Sequence, residues 1–338
     1  MRRRTVLAGI GASGVLASHR SSATQGLAFV DTHIHPLRGL LRSGPGMSSG
    51  VASVLSLMDK HNVALAVLLP PPYPAQDDHV YGLRELSAAV RGNKRLAFTA
   101  GGESLNPILQ ATPASRAPEA QRSFAAAAEQ IAAAGAAAFG EIAIEHFSSG
   151  RGPHPYESVP ADHPLLRSLA DIGARHGMPL ELHMEAVPQE MAFPPDRSRG
   201  PNPDKLNANI AAFERLLEHN RRARIVWSHA GWDLSGQRAP QLMEGLLRRH
   251  ANLFMNVKSD RGGLPINAPF GEADGLQPGW LALLRAFPDR FMVGSDEFAD
   301  AGTERIARAR RFVDLLPIDI AQPIASDNAR RVYRLPLP

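Results

Sequence analysis

The feature that most constrains this chain is a steady alternation of short apolar β-like runs with helical stretches, repeated eight times. The strand candidates are residues 27–34, 63–69, 95–100, 137–144, 179–184, 224–228, 252–257 and 290–294. Helical stretches lie near 48–61, 77–91, 119–134, 164–176, 205–220, 239–250, 278–286 and 301–315. Several end on recognisable stops, such as Gly177 after Arg175-His176 and Asn62 after His61. Strands that alternate with helices must run parallel and be joined by crossovers. A count of eight points to a closed (β/α)8 barrel, a TIM barrel, over an open doubly wound sheet. No Gly-x-Gly-x-x-Gly follows the first strand, which counts against a dinucleotide-binding fold. A chain of 338 residues with 44% hydrophobic content can bury so large a core as one domain, expected over 24–338. The alanine-rich stretch 125–138 reads as good helix former. A last helix near 321–332 is expected to close over the barrel's outer wall.

The first 23 residues read differently. Arg2-Arg3-Arg4-Thr5-Val6-Leu7 precedes a weakly apolar stretch, Ala8 to Ala17, too short to span a bilayer. Ser21-Ser22-Ala23 then supplies the small residues of a cleavage site. This pattern predicts a signal peptide of twin-arginine type over 1–23 and a periplasmic or secreted protein. The leader holds Arg2, Arg3, Arg4 and Arg20 and no acid, so its removal turns a formal net charge of +4 into balance. Balanced charge argues against a nucleic-acid partner, and no later segment suits stable membrane insertion. The chain has no cysteine, which excludes disulfides, thiolate metal sites and a cysteine nucleophile.

In a barrel of this kind, chemistry sits where strands meet the loops that follow them. Residues His33 and His35 close the first strand, and a two-residue period puts both on one face. Neutral imidazoles so placed can chelate one metal ion. The fourth strand carries Glu141 in Phe139-Gly140-Glu141-Ile142-Ala143-Ile144-Glu145, and the fifth ends in Leu180-Glu181-Leu182-His183-Met184-Glu185. The sixth ends in Val226-Trp227-Ser228-His229-Ala230-Gly231, and the eighth in Met292-Val293-Gly294-Ser295-Asp296. Four histidines and an aspartate thus fall at strand ends that converge on one mouth.

This ordered set resembles the amidohydrolase superfamily, in particular its amidohydrolase-related (type 2) branch of metal-dependent barrels. The similarity runs from residue 27 to the end and includes Ser326-Asp327-Asn328-Ala329-Arg330-Arg331, which is similar to that branch's closing Asn-Ala-x-Arg segment. The resemblance implies that His33, His35, His183 and Asp296 bind a divalent metal, with zinc the expected ion. It also implies that His229 holds a second metal or contacts the substrate carbonyl. A carboxylated lysine bridge is ruled out, because no lysine lies between Lys94 and Lys205. Glu141 remains as a bridging ligand, or as an acid that orients a ligand histidine. Its run, Gly140 to Glu145, is similar to the Gly-Glu-Ile-Gly-Leu-Asp run of the TatD-like hydrolases.

The function expected on this basis is a metal-dependent hydrolase that uses metal-activated water to cleave an ester, lactone or amide bond. Asp296 is typed to accept the water's proton, and His229 to stabilise charge on the carbonyl oxygen. Lys258 and Arg261, after the seventh strand, are candidates to hold a carboxylate on a small-molecule substrate, and Trp232 to wall the pocket. Glu103 and His146 are weaker candidates. His61, His79, His154, His163, His176, His219 and His250 are expected on the surface or at helix caps. The run Pro70-Pro71-Pro72-Tyr73-Pro74 reads as a rigid loop over the rim. The alternatives are a mononuclear decarboxylase or hydratase of the same superfamily, resembling the aminocarboxymuconate-semialdehyde type, a metal or ligand binder without catalysis, and a nuclease. Oligomeric state is not legible in the sequence.

Overall fold

The computed structural model describes residues 26–38, 46–75, 77, 80–111, 113–148, 154–195, 200–271 and 274–337. The leader expected over 1–23, and His79, lie outside the described residues. The barrel strands, numbered in chain order, are β1 (Phe29–His35), β2 (Val63–Leu68), β3 (Leu96–Gly101) and β4 (Ala138–His146), then β5 (Leu180–Met184), β6 (Ile225–Ala230), β7 (Leu253–Val257) and β8 (Phe291–Val293). Each pairs in parallel with the next, and β8 returns to β1 through Asp31 and Val293, so the sheet closes. This is the (β/α)8 barrel that the alternation predicts.

The crossovers carry α1 (Met47–His61), α2 (Leu83–Ala89), α3 (Leu105–Gln110), α4 (Pro118–Ala133), α5 (Pro164–His176), α6 (Ile210–His219), α7 (Pro240–Arg249), α8 (Pro278–Ala286) and α9 (Arg305–Leu315). Helix α5 shows how local sequence sets these limits. Its N-cap is His163, whose ring accepts the Leu165 N–H, and Pro164 occupies the first turn, where no N–H is needed. Gly177 ends the helix at φ 64°, a left-handed conformation that costs glycine little. Leu165, Leu166, Leu169 and Ile172 then bury one face against the barrel.

The apolar core has two layers. The outer one packs strand residues such as Phe29, Ile142, Leu182 and Trp227 against helix residues such as Met58, Leu166 and Phe213. The inner one fills the barrel's amino end with Val30, Val67, Val226, Phe254 and Met292. The chain's last helices are α10 (Ile318–Gln322) and α11 (Asn328–Tyr333), separated by a wide π-type turn. Ala329, Val332, Tyr333 and Leu335 join the inner layer. The terminal helix therefore plugs the amino end of the barrel and does not lie on its outer wall as expected. Apolar side chains inside that opening need cover, and α11 supplies it.

Three helices are shorter than their sequence pattern. Only Leu83–Ala89 of the 77–91 stretch is helical. Before it, Tyr81 donates its hydroxyl to the carbonyls of Leu37 and Leu69, which holds the chain as a loop. Lys205–Leu206 pairs with Met191–Ala192 as a small antiparallel ribbon, so α6 begins at Ile210. Helix α9 begins at Arg305, where Glu297 accepts the Ile306 N–H. Strand β4 is longer than expected, because Glu145 and His146 pair with the short strand Glu157–Ser158.

Candidate metal centre and its pocket

The carboxyl ends of β1, β4, β5, β6 and β8 bring His33, His35, Glu141, His183, His229 and Asp296 into one buried cluster. Asp31 fastens β1 to the segment after β8, accepting the N–H groups of His33 and Ser295. Burial pushes the Asp31 carboxyl up to about 6.

The two β1 histidines are fixed in orientation by acceptors. His33 Nδ1 lies 2.6 Å from Glu181 Oε1, and His35 Nδ1 lies 3.0 Å from the Leu69 carbonyl. A carboxylate and a carbonyl only accept, so each Nδ1 carries a proton and each Nε2 presents a lone pair; the tautomers are assigned from these partners. Those two Nε2 atoms stand 3.2 Å apart. Asp296 Oδ1 is 3.6 and 3.2 Å from them, and Glu141 Oε2 is 3.5 and 3.7 Å away. Four electron-rich atoms facing one another need a cation between them. Two imidazoles on tetrahedral zinc at about 2.0–2.1 Å would set their nitrogens roughly 3.3 Å apart, which the β1 pair matches. The donor set fits a divalent metal. Burial opposes charge on His33, but the Glu181 and Glu141 carboxylates hold its pKa well above the ordinary range, and the same carboxylates favour a cation at that place.

Glu141 faces both halves of the cluster. Its Oε2 is turned to the β1 pair, while Oε1 is 2.7 Å from His183 Nδ1 and 2.7 Å from His229 Nε2. Burial alone would raise its pKa, but the charge on His33 and hydrogen bonds from His183 and His229 hold it well below the usual carboxylate range. His229 is held neutral by burial, and its Nδ1 is a buried atom with no hydrogen-bond partner among the described residues. A side chain at Gly140 would meet the Glu181 Cβ at 2.8 Å, so glycine lets β4 and β5 bring their two glutamates together.

Two cluster residues stand in left-handed backbone, His229 at φ 62° and Asp296 at φ 54°. Such positions cost about 1–3 kcal/mol each without a glycine. Hydrogen bonds hold them: the His229 N–H donates to Asn256 Oδ1, and the Asp296 N–H to the His33 carbonyl.

Asp296 is clamped from outside. Lys258 Nζ and Arg305 Nη1 each lie 2.6 Å from its Oδ2. Burial pulls the other way, yet these two cations hold Asp296 well below its ordinary range. The Lys258 ammonium also sits 3.5 Å over the Trp232 ring. A cavity of about 500 Å³ opens above the cluster, with Trp232, Lys258, Arg305, His146 and His154 in its wall and Pro71-Pro72 at its rim.

The structure thus brings eight of the nine candidate site residues to the buried cluster and the pocket above it. Arg261 is the exception: its side chain is exposed, pairs with Asp274 at 3.6 Å and lines a separate surface groove. Glu103 accepts the N–H groups of Gly101 and Leu83 and serves the backbone. His154 was expected on the surface but stands in the pocket wall, because its ring is drawn to the Pro72 carbonyl.

Two functional candidates escaped the sequence reading. Glu181 lies fully buried and accepts from His33, Asn256 and Tyr333. A signal was present: an ionisable residue two positions before His183, on the same face of an otherwise apolar strand. Arg305 begins a helix nine residues beyond Asp296, and no local pattern marks its return to the site.

No family model matches the sequence, and neither does any curated protein. Solved structures do match, over nearly the whole chain. One is a probable 2-pyrone-4,6-dicarboxylic acid hydrolase from Acinetobacter baumannii with citric acid bound, 14% identical, TM-score 0.51, covering 91% of this chain and 100% of that one. Another is 2,6-dihydroxybenzoate decarboxylase from Rhizobium, 16% identical, TM-score 0.51, covering 91% and 99%. A third is 5-carboxyvanillate decarboxylase from Novosphingobium aromaticivorans, with manganese and 4-hydroxy-3-methoxy-5-nitrobenzoic acid, 14% identical, TM-score 0.51, covering 92% and 97%. At such identities the likeness is one of fold.

Proposed function

We propose that this chain is a metal-dependent hydrolase of the amidohydrolase superfamily, cleaving an ester, lactone or amide bond of a small carboxylated substrate. The observation that carries the reading is Glu141, which offers one oxygen to the His33–His35 pair and the other to His183 and His229. A carboxylate so placed would serve two metal sites, and it sits under a pocket lined by Lys258 and Arg305. The matched structures, named for a dicarboxylic acid hydrolase and for carboxylated aromatic decarboxylases, support an anionic substrate of this size.

A bound divalent ion would polarise the scissile carbonyl and make water a better nucleophile near neutral pH. The rest falls to side chains. Glu181 and the Leu69 carbonyl hold the β1 histidines in their ligating tautomers. Neutral His229, whose Nε2–H faces Glu141 Oε1, would stabilise charge on a carbonyl oxygen by giving that N–H to it. Asp296 accepts the water's proton, and Lys258 with Arg305 governs how readily it does so. A substrate carboxylate that draws Arg305 away leaves Asp296 more basic. Trp232 closes one wall against bulk water. The arginine-pair leader supports folding and metal loading before export to the periplasm.

The second reading, a decarboxylase, is favoured by one feature. Asp296 clamped by two cations is a weak base, and loss of carbon dioxide requires no attacking water. Product analysis separates the two on a panel of lactones, esters and carboxylated aromatics, with metal content measured alongside. Hydrolysis predicts acid release and a metal equivalent that is lost in Glu141→Gln. Carbon dioxide release with no Glu141-dependent equivalent would replace the hydrolase reading by the decarboxylase one.

A further inference from the structure

A second group of ligand atoms stands in the pocket wall and takes no part in the chemistry above. It is built on the antiparallel ribbon between the end of β4 and Glu157–Ser158, in which His146 pairs with Glu157. One ligand atom each from His146, His154 and Glu157 lies within 4.8 Å of the others.

Two of these residues carry buried atoms without a hydrogen-bond partner among the described residues: His146 Nδ1 and Glu157 Oε2. Glu157 is only 4% exposed. Its Oε1 accepts from Asn106 Nδ2 at 3.1 Å, and that amide is itself fixed because Asn106 Oδ1 accepts the Ala143 N–H. This leaves Oε2 turned to the group, 3.9 Å from His154 Nε2. An unpaired buried carboxylate oxygen is costly to leave unsatisfied.

His154 sharpens the point. Its Nδ1 is 3.0 Å from the Pro155 carbonyl and its Nε2 is 2.7 Å from the Pro72 carbonyl. Both partners only accept, whereas a neutral imidazole has one proton to give. One of the two contacts therefore sets lone pair against lone pair unless a cation lies there. The group gathers two imidazoles, a buried carboxyl group and a carbonyl oxygen, and each neutral imidazole brings a single N–H, too few donors for the acceptors gathered among the described residues.

We propose that His146, His154 and Glu157, with the Pro72 carbonyl, form an additional divalent-cation site in the pocket wall, separate from the centre at His33 and His35. Two nitrogens and two oxygens suit a borderline ion such as zinc or cobalt better than calcium or magnesium. The site shares no side chain with the central cluster, although the His146 ring lies 4.5 Å from that of His183. It stands whether the central reaction is hydrolysis or decarboxylation. It also means that a second metal equivalent does not by itself locate that metal at Glu141.

The test is titration of the natively purified protein with cobalt(II), read by visible absorbance and by metal retained after gel filtration. Wild type should bind one equivalent more than His154→Gln or Glu157→Gln. In the double variant the affinity for that equivalent should fall by more than the roughly 10–100-fold lost when a supporting outer partner is removed. Glu141→Gln should keep it, and His33→Ala should lose central metal while the His154-dependent equivalent persists. An unchanged count and affinity in the double variant would overturn the proposal and assign the second cation on His154 to a proton. Unfolding midpoints check the fold. If Glu157→Gln does not fold, His154→Gln alone decides, since that ring's hydrogen-bonding contacts are with the carbonyls of Pro155 and Pro72.

Discussion

Glu181→Gln separates a carboxylate that tunes a metal ligand from one that merely fills the barrel. Glu181 Oε1 faces His33 Nδ1 at 2.6 Å, Asn256 Nδ2 at 2.8 Å and Ser228 Oγ at 3.3 Å, while Oε2 accepts from Tyr333 at 3.0 Å. A glutamine with its oxygen in the Oε1 place keeps the first three bonds, and its NH2 can donate to the Tyr333 oxygen once that hydroxyl turns. The fold should therefore lose only about 1 kcal/mol, the usual net worth of one hydrogen bond. The negative charge behind His33 disappears, and the ring becomes a poorer donor to the ion. Loss of such a partner typically weakens metal binding about 10–100-fold, or roughly 1.4–2.7 kcal/mol. Competition with a chromophoric chelator measures the affinity, and thermal unfolding of the metal-free variant measures the fold. Affinity within twofold of wild type, in a variant whose unfolding midpoint has dropped, would make Glu181 a packing residue with no hold on the metal.

Four further outcomes follow from the same geometry. Asp296→Asn should retain part of its metal but lose most turnover, and near-normal rates would remove it as the base. Arg305→Gln should raise KM for carboxylated substrates at least tenfold and leave neutral analogues unaffected; equal effects on both would deny it a role in recognition. Glu185 is pushed up to about 7 by burial and by the Asp233 carboxylate, against 4.5 unfolded. Its contribution is thus fully present below pH 4.5 and is lost as pH rises through 7, at most about 3 kcal/mol. In Glu185→Gln that decline should vanish from denaturant unfolding curves of the metal-free protein, whereas a parallel decline in both proteins would contradict the assignment. Tyr333→Ala should cost about 3–5 kcal/mol in the same assay, because it opens the plug at the barrel's amino end. A loss under 1 kcal/mol would mean the plug is not needed.

The barrel was legible because its strands are short apolar runs separated by stretches with good stops, and parallel closure leaves few topologies for eight of them. The polar residues at the strand ends were legible for a related reason: they break an apolar run at its carboxyl end, where a barrel gathers its functional groups. What escaped depends on contacts distant in sequence. Arg305 reaches Asp296 only because Glu297 sets the start of α9. His154 enters the pocket wall through the carbonyl of Pro72, on another loop. Arg261 is typed like Lys258, but only the burial of Lys258 over Trp232 tells the two apart. The fate of the terminal helix was equally hidden, since an amphipathic helix suits an outer wall and a barrel end alike.

The proposed chemistry rests on a metal ion held by the His33–His35 pair. Anomalous X-ray scattering at the metal's absorption edge, from crystals of natively purified protein, locates it. A peak is expected at about 2.0–2.1 Å from the Nε2 atoms of both histidines, the bond length of imidazole ligands on zinc. A protein that turns over substrate with no metal at that position would contradict it.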